Sequence, residues 1–350
     1  MKPKGQTPSL GEEAIYSAFP QEEDRVFEPS LRPTCFKEFT GQKTAVKNLK
    51  TWVEAARSRG DSLDHVLLSG PPGLGKTTLA YILANEMGST IRATSGPALP
   101  RPRDLVGILT NLQQGDVLFI DEIHRLDARV EEYLYTAMEE FRIAVVIDSG
   151  PHSRSISLPL KHFTLIGATT REGLLTPPLR SRFQILERLD FYPPADIADI
   201  IRSSAGKLGL EVEGSAVELL ASAARGTPRV ANRYLRRVRD VAHVLESESI
   251  TRAVAAECLK RLGVDEHGVC EMDRRILGAL AQNPGRPLGL KTLAVMVSEQ
   301  EDTIEDVYEP FLIQQGMLEK TSRGRMLTPL GMKYLGLDPG AGPPPQKKLF

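Results

Sequence analysis

The sequence predicts an α/β fold built on a parallel sheet, followed by a helical bundle and a winged-helix unit. Three observations predict it. Short apolar runs alternate with helical stretches between Leu31 and Tyr192, the pattern of buried parallel strands with crossover helices on both faces. Pro193-Pro194 breaks that alternation, and from Ala195 to about Leu262 the periodicity is helical. Residues 271–337 then read as three short helices closing in a hairpin, Met317-Leu318-Glu319 and Arg325-Met326-Leu327 around Arg323-Gly324, the order of a winged helix-turn-helix.

Residues 1–30 are rich in Glu, Pro, Gly and Ser with weak periodicity, which predicts a loose N-terminal arm. His65–Ser69 is the first buried strand, and a helix follows from Thr77 to Met87. Asp116–Ile120 is the second strand and Phe163–Gly167 the third. Between them Arg142–Ile147 and Ser155–Leu158 form a hairpin turning at Ser149-Gly150-Pro151. Its apolar residues exceed what a solvated hairpin needs, so it is either an edge hairpin packed on its own domain or a projecting partner-binding surface. Asp265–Gly268 reads as a linker, and the Pro/Gly-rich tail from Asp338 as disordered. The expected domains are therefore 31–192, 193–264 and 265–337, between the arm at 1–30 and the tail at 338–350.

The chemistry concentrates in the first domain. Gly70-Pro71-Pro72-Gly73-Leu74-Gly75-Lys76-Thr77 satisfies G-x-x-x-x-G-K-[ST], between a predicted strand and a predicted helix. Its glycines let backbone N–H groups wrap phosphates, and the helix adds its positive N-terminal end. Lys76 is expected on the β- and γ-phosphates of ATP, Thr77 on Mg2+, and Thr78 on a further phosphate. Asp121 and Glu122 end the second strand. Such a pair places Asp121 near the magnesium and Glu122 near an attacking water as its base; the other reading is a helix N-cap. Gly167-Ala168-Thr169-Thr170 ends the third strand with a hydroxyl that could reach the γ-phosphate or the water. Arg180 and Arg182 flank Ser181, where most arginines are surface charges. Arg229 opens a helix after Gly226-Thr227-Pro228, and that turn fixes its direction.

Bulk properties narrow the partners. The net charge is −1 over 350 residues, so nucleic-acid contact requires a local basic patch rather than the overall field. No apolar run reaches the ~20 residues of a membrane span, and no secretory signal core follows the N-terminal lysines. Cys35, Cys258 and Cys270 show no paired spacing, which predicts plain thiols and a cytoplasmic protein.

Taken in order, the phosphate loop, Asp121-Glu122, Gly167-Ala168-Thr169-Thr170-Arg171, Ser181-Arg182-Phe183 and Gly226-Thr227-Pro228-Arg229 resemble the AAA+ ATPases. His65–Leu68, Thr94–Pro97, Asp121–Leu126, Phe163–Arg171, Met272–Leu277 and residues 302–316 make the chain similar, more narrowly, to the RuvB family of Holliday junction branch-migration motors, from about Leu31 to Leu337. That resemblance implies a homohexameric ring around duplex DNA with ATP sites between subunits. It implies Arg182 as an arginine finger in the neighbouring site, Thr170 as first sensor and Arg229 as second. Leu31 and Arg32 would lie beside the adenine, with Tyr192 on the same nucleotide. The hairpin near 142–158 would dock RuvA, leaving room for RuvC as a further partner. Lys320, Arg323 and Arg325 at the wing would track DNA phosphates, with Lys320 replacing a usual Arg and losing the bidentate fork. Gln346-Lys347-Lys348-Leu349-Phe350 resembles the Q-x-x-L-F peptide that binds the replicative sliding clamp, and the other reading is an incidental tail. Competing functions are an AAA+ clamp loader or initiator switch, and a non-hydrolysing ATP-binding scaffold. Intact Lys76, Asp121, Glu122 and Arg182 argue against the scaffold.

Overall fold

A computed structural model describes residues 30–146, 155–283 and 285–338. Leu31–Tyr192 forms one compact unit and the chain from Pro193 onward belongs to the other.

In the first unit α1 (Lys43–Arg59) precedes β1 (Val66–Ser69), α2 (Lys76–Met87), β2 (Ile91–Ser95), α3 (Pro102–Leu109), β3 (Val117–Asp121) and α4 (Ala128–Glu140). The hairpin β4 (Arg142–Val146) and β5 (Ser155–Pro159) comes next, then β6 (Thr164–Thr169), the short α5 (Pro177–Arg180) and β7 (Ile185–Arg188). Five strands make the main sheet in the order β2-β3-β6-β1-β7, all parallel. The three apolar runs of the sequence are its centre, β1, β3 and β6. β2 and β7 were not marked by the sequence, because an edge strand buries less and keeps polar residues such as Arg92, Thr94, Glu187 and Arg188. The hairpin is a separate two-stranded sheet, with Ile143 buried and Ile156 exposed. Its predicted turn lies outside the described residues.

His65 ties three elements together at the root of this hairpin. Its Nδ1 accepts from the Leu165 N–H at 2.9 Å, and its Nε2 lies 3.2 Å from the Met138 carbonyl at the end of α4. Phe163 packs 5.7 Å from its ring. Burial holds the ring neutral, with a pKa below the ordinary 6.5. Below about pH 6.5 the unfolded chain therefore binds a proton that the folded chain refuses, and stability falls as pH drops towards the folded pKa. Thermal unfolding should show this as a midpoint that declines between about pH 7.5 and 5.5, and His65→Gln should flatten the decline. An equal slope in both proteins would place the pH dependence elsewhere.

The second unit begins with a four-helix bundle: α6 (Pro194–Lys207), α7 (Gly214–Ala223), α8 (Pro228–Val244) and α9 (Arg252–Arg261). Pro228 occupies the first turn of α8, where its missing N–H and fixed φ suit a helix start. The winged helix follows with α10 (Glu271–Ala281) and α11 (Leu290–Val297). Next, α12 (Glu301–Thr303), a π turn (Ile304–Tyr308) and α13 (Glu309–Gln314) run on continuously. β8 (Leu318–Thr321), β9 (Gly324–Leu327) and α14 (Pro329–Tyr334) complete it. β8 and β9 pair antiparallel as the wing. Gly324 has φ +141, and a Cβ there would lie 2.4 Å from the Leu288 carbonyl, so the wing's return strand admits no side chain at that point.

The expected linker is a clasped turn. Gly268 N–H bonds to the Asp265 carbonyl, and the Asp265 carboxylate accepts from His267 and Val269 N–H and from the Tyr334 hydroxyl. Composition marked a break in periodicity there, but not the long-range bond from Tyr334. Cys258 and Cys270 are buried, and burial pushes both thiols up to about 12, so they stay protonated and unreactive near neutral pH. Among the described residues no helix is long and apolar enough to cross a membrane.

Candidate active site

The phosphate loop links β1 to α2 at the C-terminal edge of the sheet. Gly70, Gly73 and Gly75 have φ of 131°, 77° and 101°, values that L side chains rarely hold. A Cβ on Gly70 would come within 2.2 Å of the Leu189 carbonyl, and one on Gly75 within 3.2 Å of the Phe39 ring. Both glycines are therefore set by close approach as well as by conformation. Lys76 is the first residue of α2 and is buried. Its ammonium donates to the Gly70 and Pro71 carbonyls at 2.7 and 2.8 Å, so the cation lies across the mouth of its own loop. Thr78 is half-buried on the same turn.

Thr77 and Asp121 converge. The Thr77 hydroxyl donates to Asp121 Oδ2 at 3.3 Å, while Oδ1 accepts from the Glu122 N–H at 2.9 Å. Two hard oxygen donors beside a phosphate cradle fit a magnesium ion that brings phosphates and waters as its other ligands. Among the described residues there is no group of three or more His, Cys, Asp or Glu that could hold a metal ion.

Glu122 stands at the N-cap position of a 3-10 turn (Ile123–Arg125), but its side chain makes no capping bond there. Its backbone is left-handed, φ 47°, a conformation that a non-glycine residue keeps only where its surroundings enforce it. Gly96 belongs to those surroundings, since a Cβ on it would meet the Glu122 carbonyl at 2.6 Å. The carboxylate is ion-paired with Arg125 at 2.9 Å. At the end of β6 the Thr169 hydroxyl shares a hydrogen bond of 2.9 Å with His124 Nδ1 and accepts from the Arg171 N–H. Thr170 follows, half-buried. The sequence singled out Thr170 and not His124, because the partner lies far along the chain.

Leu31 is buried, and Arg32 lies over the Tyr81 ring at 5.1 Å. The Tyr192 hydroxyl donates to the Leu74 carbonyl at 3.0 Å, bracing the loop from behind. Arg229 is the second residue of α8, in the other unit.

Arg182 sits elsewhere in the sheet. It lies just before β7, whose first residue Ile185 pairs with Val66 and donates its N–H to the His65 carbonyl. That is the N-terminal edge. The phosphate loop leaves the other end of β1, after four residues or roughly 13 Å of strand. The guanidinium donates to the Pro178 carbonyl at 2.7 Å and to Glu139 at 3.0 Å, with its carbon 4.6 Å from the Tyr135 ring. Tyr135 also bonds Glu131 and Thr176, the N-cap of α5, which accepts from the Leu179 N–H. Nothing in the sequence pointed to Tyr135 or Glu139, since their role appears only when α4 packs against α5.

At the wing the three expected basic residues differ in exposure. Arg325 is buried, with 7% exposure, and its guanidinium is ion-paired with Glu309 and, at 3.5 Å, with Glu305. It anchors the wing to α13. The sequence shows its charge but not the acids that fold opposite it, and a buried charge must be paired. Lys320 is half exposed and pairs with Glu305 at 2.7 Å, a weak surface pair that a phosphate can displace. Arg323 is exposed at the turn.

Comparison with known proteins agrees with this layout. Residues 31–189 match the model for the Holliday junction DNA helicase RuvB P-loop domain, 192–265 the RuvB AAA lid domain, and 266–336 the RuvB C-terminal winged helix domain. A Holliday junction branch migration complex subunit RuvB from Myxococcus xanthus is 55% identical over 94% of this chain and 95% of its own. A protein of the same description from Chlorobium luteolum is 55% identical over 86% of this chain and 88% of its own. Among solved structures, a Thermotoga maritima RuvB Holliday junction branch migration motor superposes with a TM-score of 0.80 at 45% identity, covering 88% of this chain and 99% of that one.

Proposed function

Because the chain belongs to the RuvB family of P-loop ATPases, we propose that it is the motor subunit of a branch-migration complex, hydrolysing ATP to move duplex DNA at Holliday junctions. The single observation that carries the division of labour is the separation of Arg182 from its own phosphate loop across the sheet. An arginine that cannot reach its own nucleotide is suited to serve a neighbour's, as a ring requires.

On this reading Lys76 leaves the Gly70 and Pro71 carbonyls for the β- and γ-phosphates. The loop N–H groups and the start of α2 hold the remaining phosphate charge. Thr77 and Asp121 would hold magnesium, which would supply charge neutralisation at the phosphates. Glu122 orients and deprotonates the attacking water, while Arg182 of one subunit stabilises transition-state charge in the next. Thr170 and Arg229 report the γ-phosphate, and Leu31, Arg32 and Tyr192 enclose the nucleoside. The incomplete site calls for a neighbouring subunit, which a homohexameric ring would supply. Duplex DNA is tracked by Arg323 and Lys320 through sequence-independent, salt-sensitive phosphate contacts. The separate β4–β5 hairpin suits RuvA docking, and RuvC would join at the junction. The peptide Gln346–Phe350, outside the described residues, is the candidate contact to the sliding clamp, readable by fluorescence polarisation of that peptide on the clamp.

The decisive experiment is branch migration of a labelled four-way junction with and without the cognate RuvA. ATP-dependent migration stimulated by RuvA is expected. ATP turnover with no migration under either condition would overturn the motor reading and favour a loader.

A further inference from the structure

The turn that carries Arg229 is built in an unusual way. After α7, Arg225 has φ 57° and Gly226 φ 65°, two successive left-handed residues before Thr227 and α8. A residue with a Cβ keeps that conformation only when its surroundings over-determine it. Three partners of the Arg225 side chain come from the C-terminal part of the same unit. Its Nε donates to the Gly268 carbonyl at 2.8 Å, its Nη2 is ion-paired with the fully buried Asp273, and its guanidinium carbon lies 4.2 Å from the Phe311 ring. Asp273 is in the first turn of α10, where it also accepts from the Cys270 N–H at 2.8 Å. Phe311 belongs to α13.

The backbone is fitted there too. Gly268 has φ +84, and a Cβ on it would lie 2.6 Å from the Ala223 carbonyl at the end of α7. Nearby, Arg274 donates to the Gly263 and Val269 carbonyls at 2.7 and 2.9 Å. The junction between bundle and winged helix is therefore fastened on both sides and has little freedom to hinge.

We infer that Arg225 is a positioning residue that joins the Arg229 turn to the winged helix, so that a nucleotide-driven movement of that turn reaches the DNA-binding head without loss. The inference rests on reading Arg229 as a nucleotide contact and the winged helix as the DNA contact. Stability alone does not require this placement, since a buried ion pair is often no better than an apolar replacement. Here the pair is spent on the one turn whose direction Arg229 depends upon.

The test compares the full chain with Asp273→Asn, which keeps an acceptor for Cys270 but removes the charge, and with Arg225→Lys, which keeps the charge but loses the fork. Base pairs migrated per ATP and the ratio of DNA-stimulated to basal turnover are measured beside the thermal unfolding midpoint. The expected result is a loss of about tenfold in migration per ATP, the usual order for coupling between sites, with basal turnover retained. Phe311→Leu keeps the ion pair and the apolar fill, so it carries the test if the charge variants fail to fold; a smaller loss in the same ratio is expected. Variants that fold and couple as the parent does overturn the inference and leave Arg225 a stability element. A parent whose turnover ignores DNA overturns the motor reading, and the inference with it.

Discussion

Glu122→Gln should bind ATP about as tightly as the parent and hydrolyse it at least ~10²-fold more slowly, the usual contribution of a positioned base. The amide is nearly isosteric and leaves the Glu122 N–H to Asp121 contact in place, so Thr77 and Asp121 keep their geometry. Gln cannot accept the water's proton. It also loses the charge paired with Arg125, an exposed pair worth little to stability. Nucleotide affinity from equilibrium binding and single-turnover hydrolysis separate the two effects. Retained turnover would show that another group activates the water.

Arg182→Ala should lower turnover by roughly 10³-fold or more, the range measured for arginine fingers. The loss should be curable in trans. Mixed with a Lys76→Ala chain, which has no working loop but an intact finger, the Arg182→Ala subunits supply the loops and their neighbours the fingers. Activity in the mixture above that of either variant alone is the expected outcome. No recovery across mixing ratios would refute an intersubunit role. Some of the defect could be structural, because Arg182 packs on Tyr135 and pairs with Glu139; recovery in trans answers that, since a misfolded loop edge could not be cured by a neighbour.

Much of the fold was legible because its signals are local. A central strand buried on both faces must be apolar throughout, and β1, β3 and β6 were visible for that reason. The phosphate loop was visible because its glycines, lysine and threonine act from consecutive positions. Edge strands β2 and β7 were missed because half-exposed strands carry polar residues. The clasped turn at Asp265–Gly268 looked like a linker because two of its restraints come from Arg225 and Tyr334, remote in the chain.

The arginines show the boundary most clearly. In the sequence Arg182, Arg225, Arg229 and Arg325 differ only in their neighbours, and charge alone assigns none of them a task. Packing separates them: Arg325 meets Glu309, Arg225 meets Asp273 and Phe311, and Arg182 meets Glu139 and Tyr135 at the edge of the sheet opposite its own loop. By itself the sequence determined the sheet's centre, the nucleotide loop and the order of the three parts. Those depend on composition and short spacing. Only the tertiary structure decided which acids and rings each cation meets, because the energy of a charge depends on the acids and the solvent around it, and these are set by residues distant in sequence.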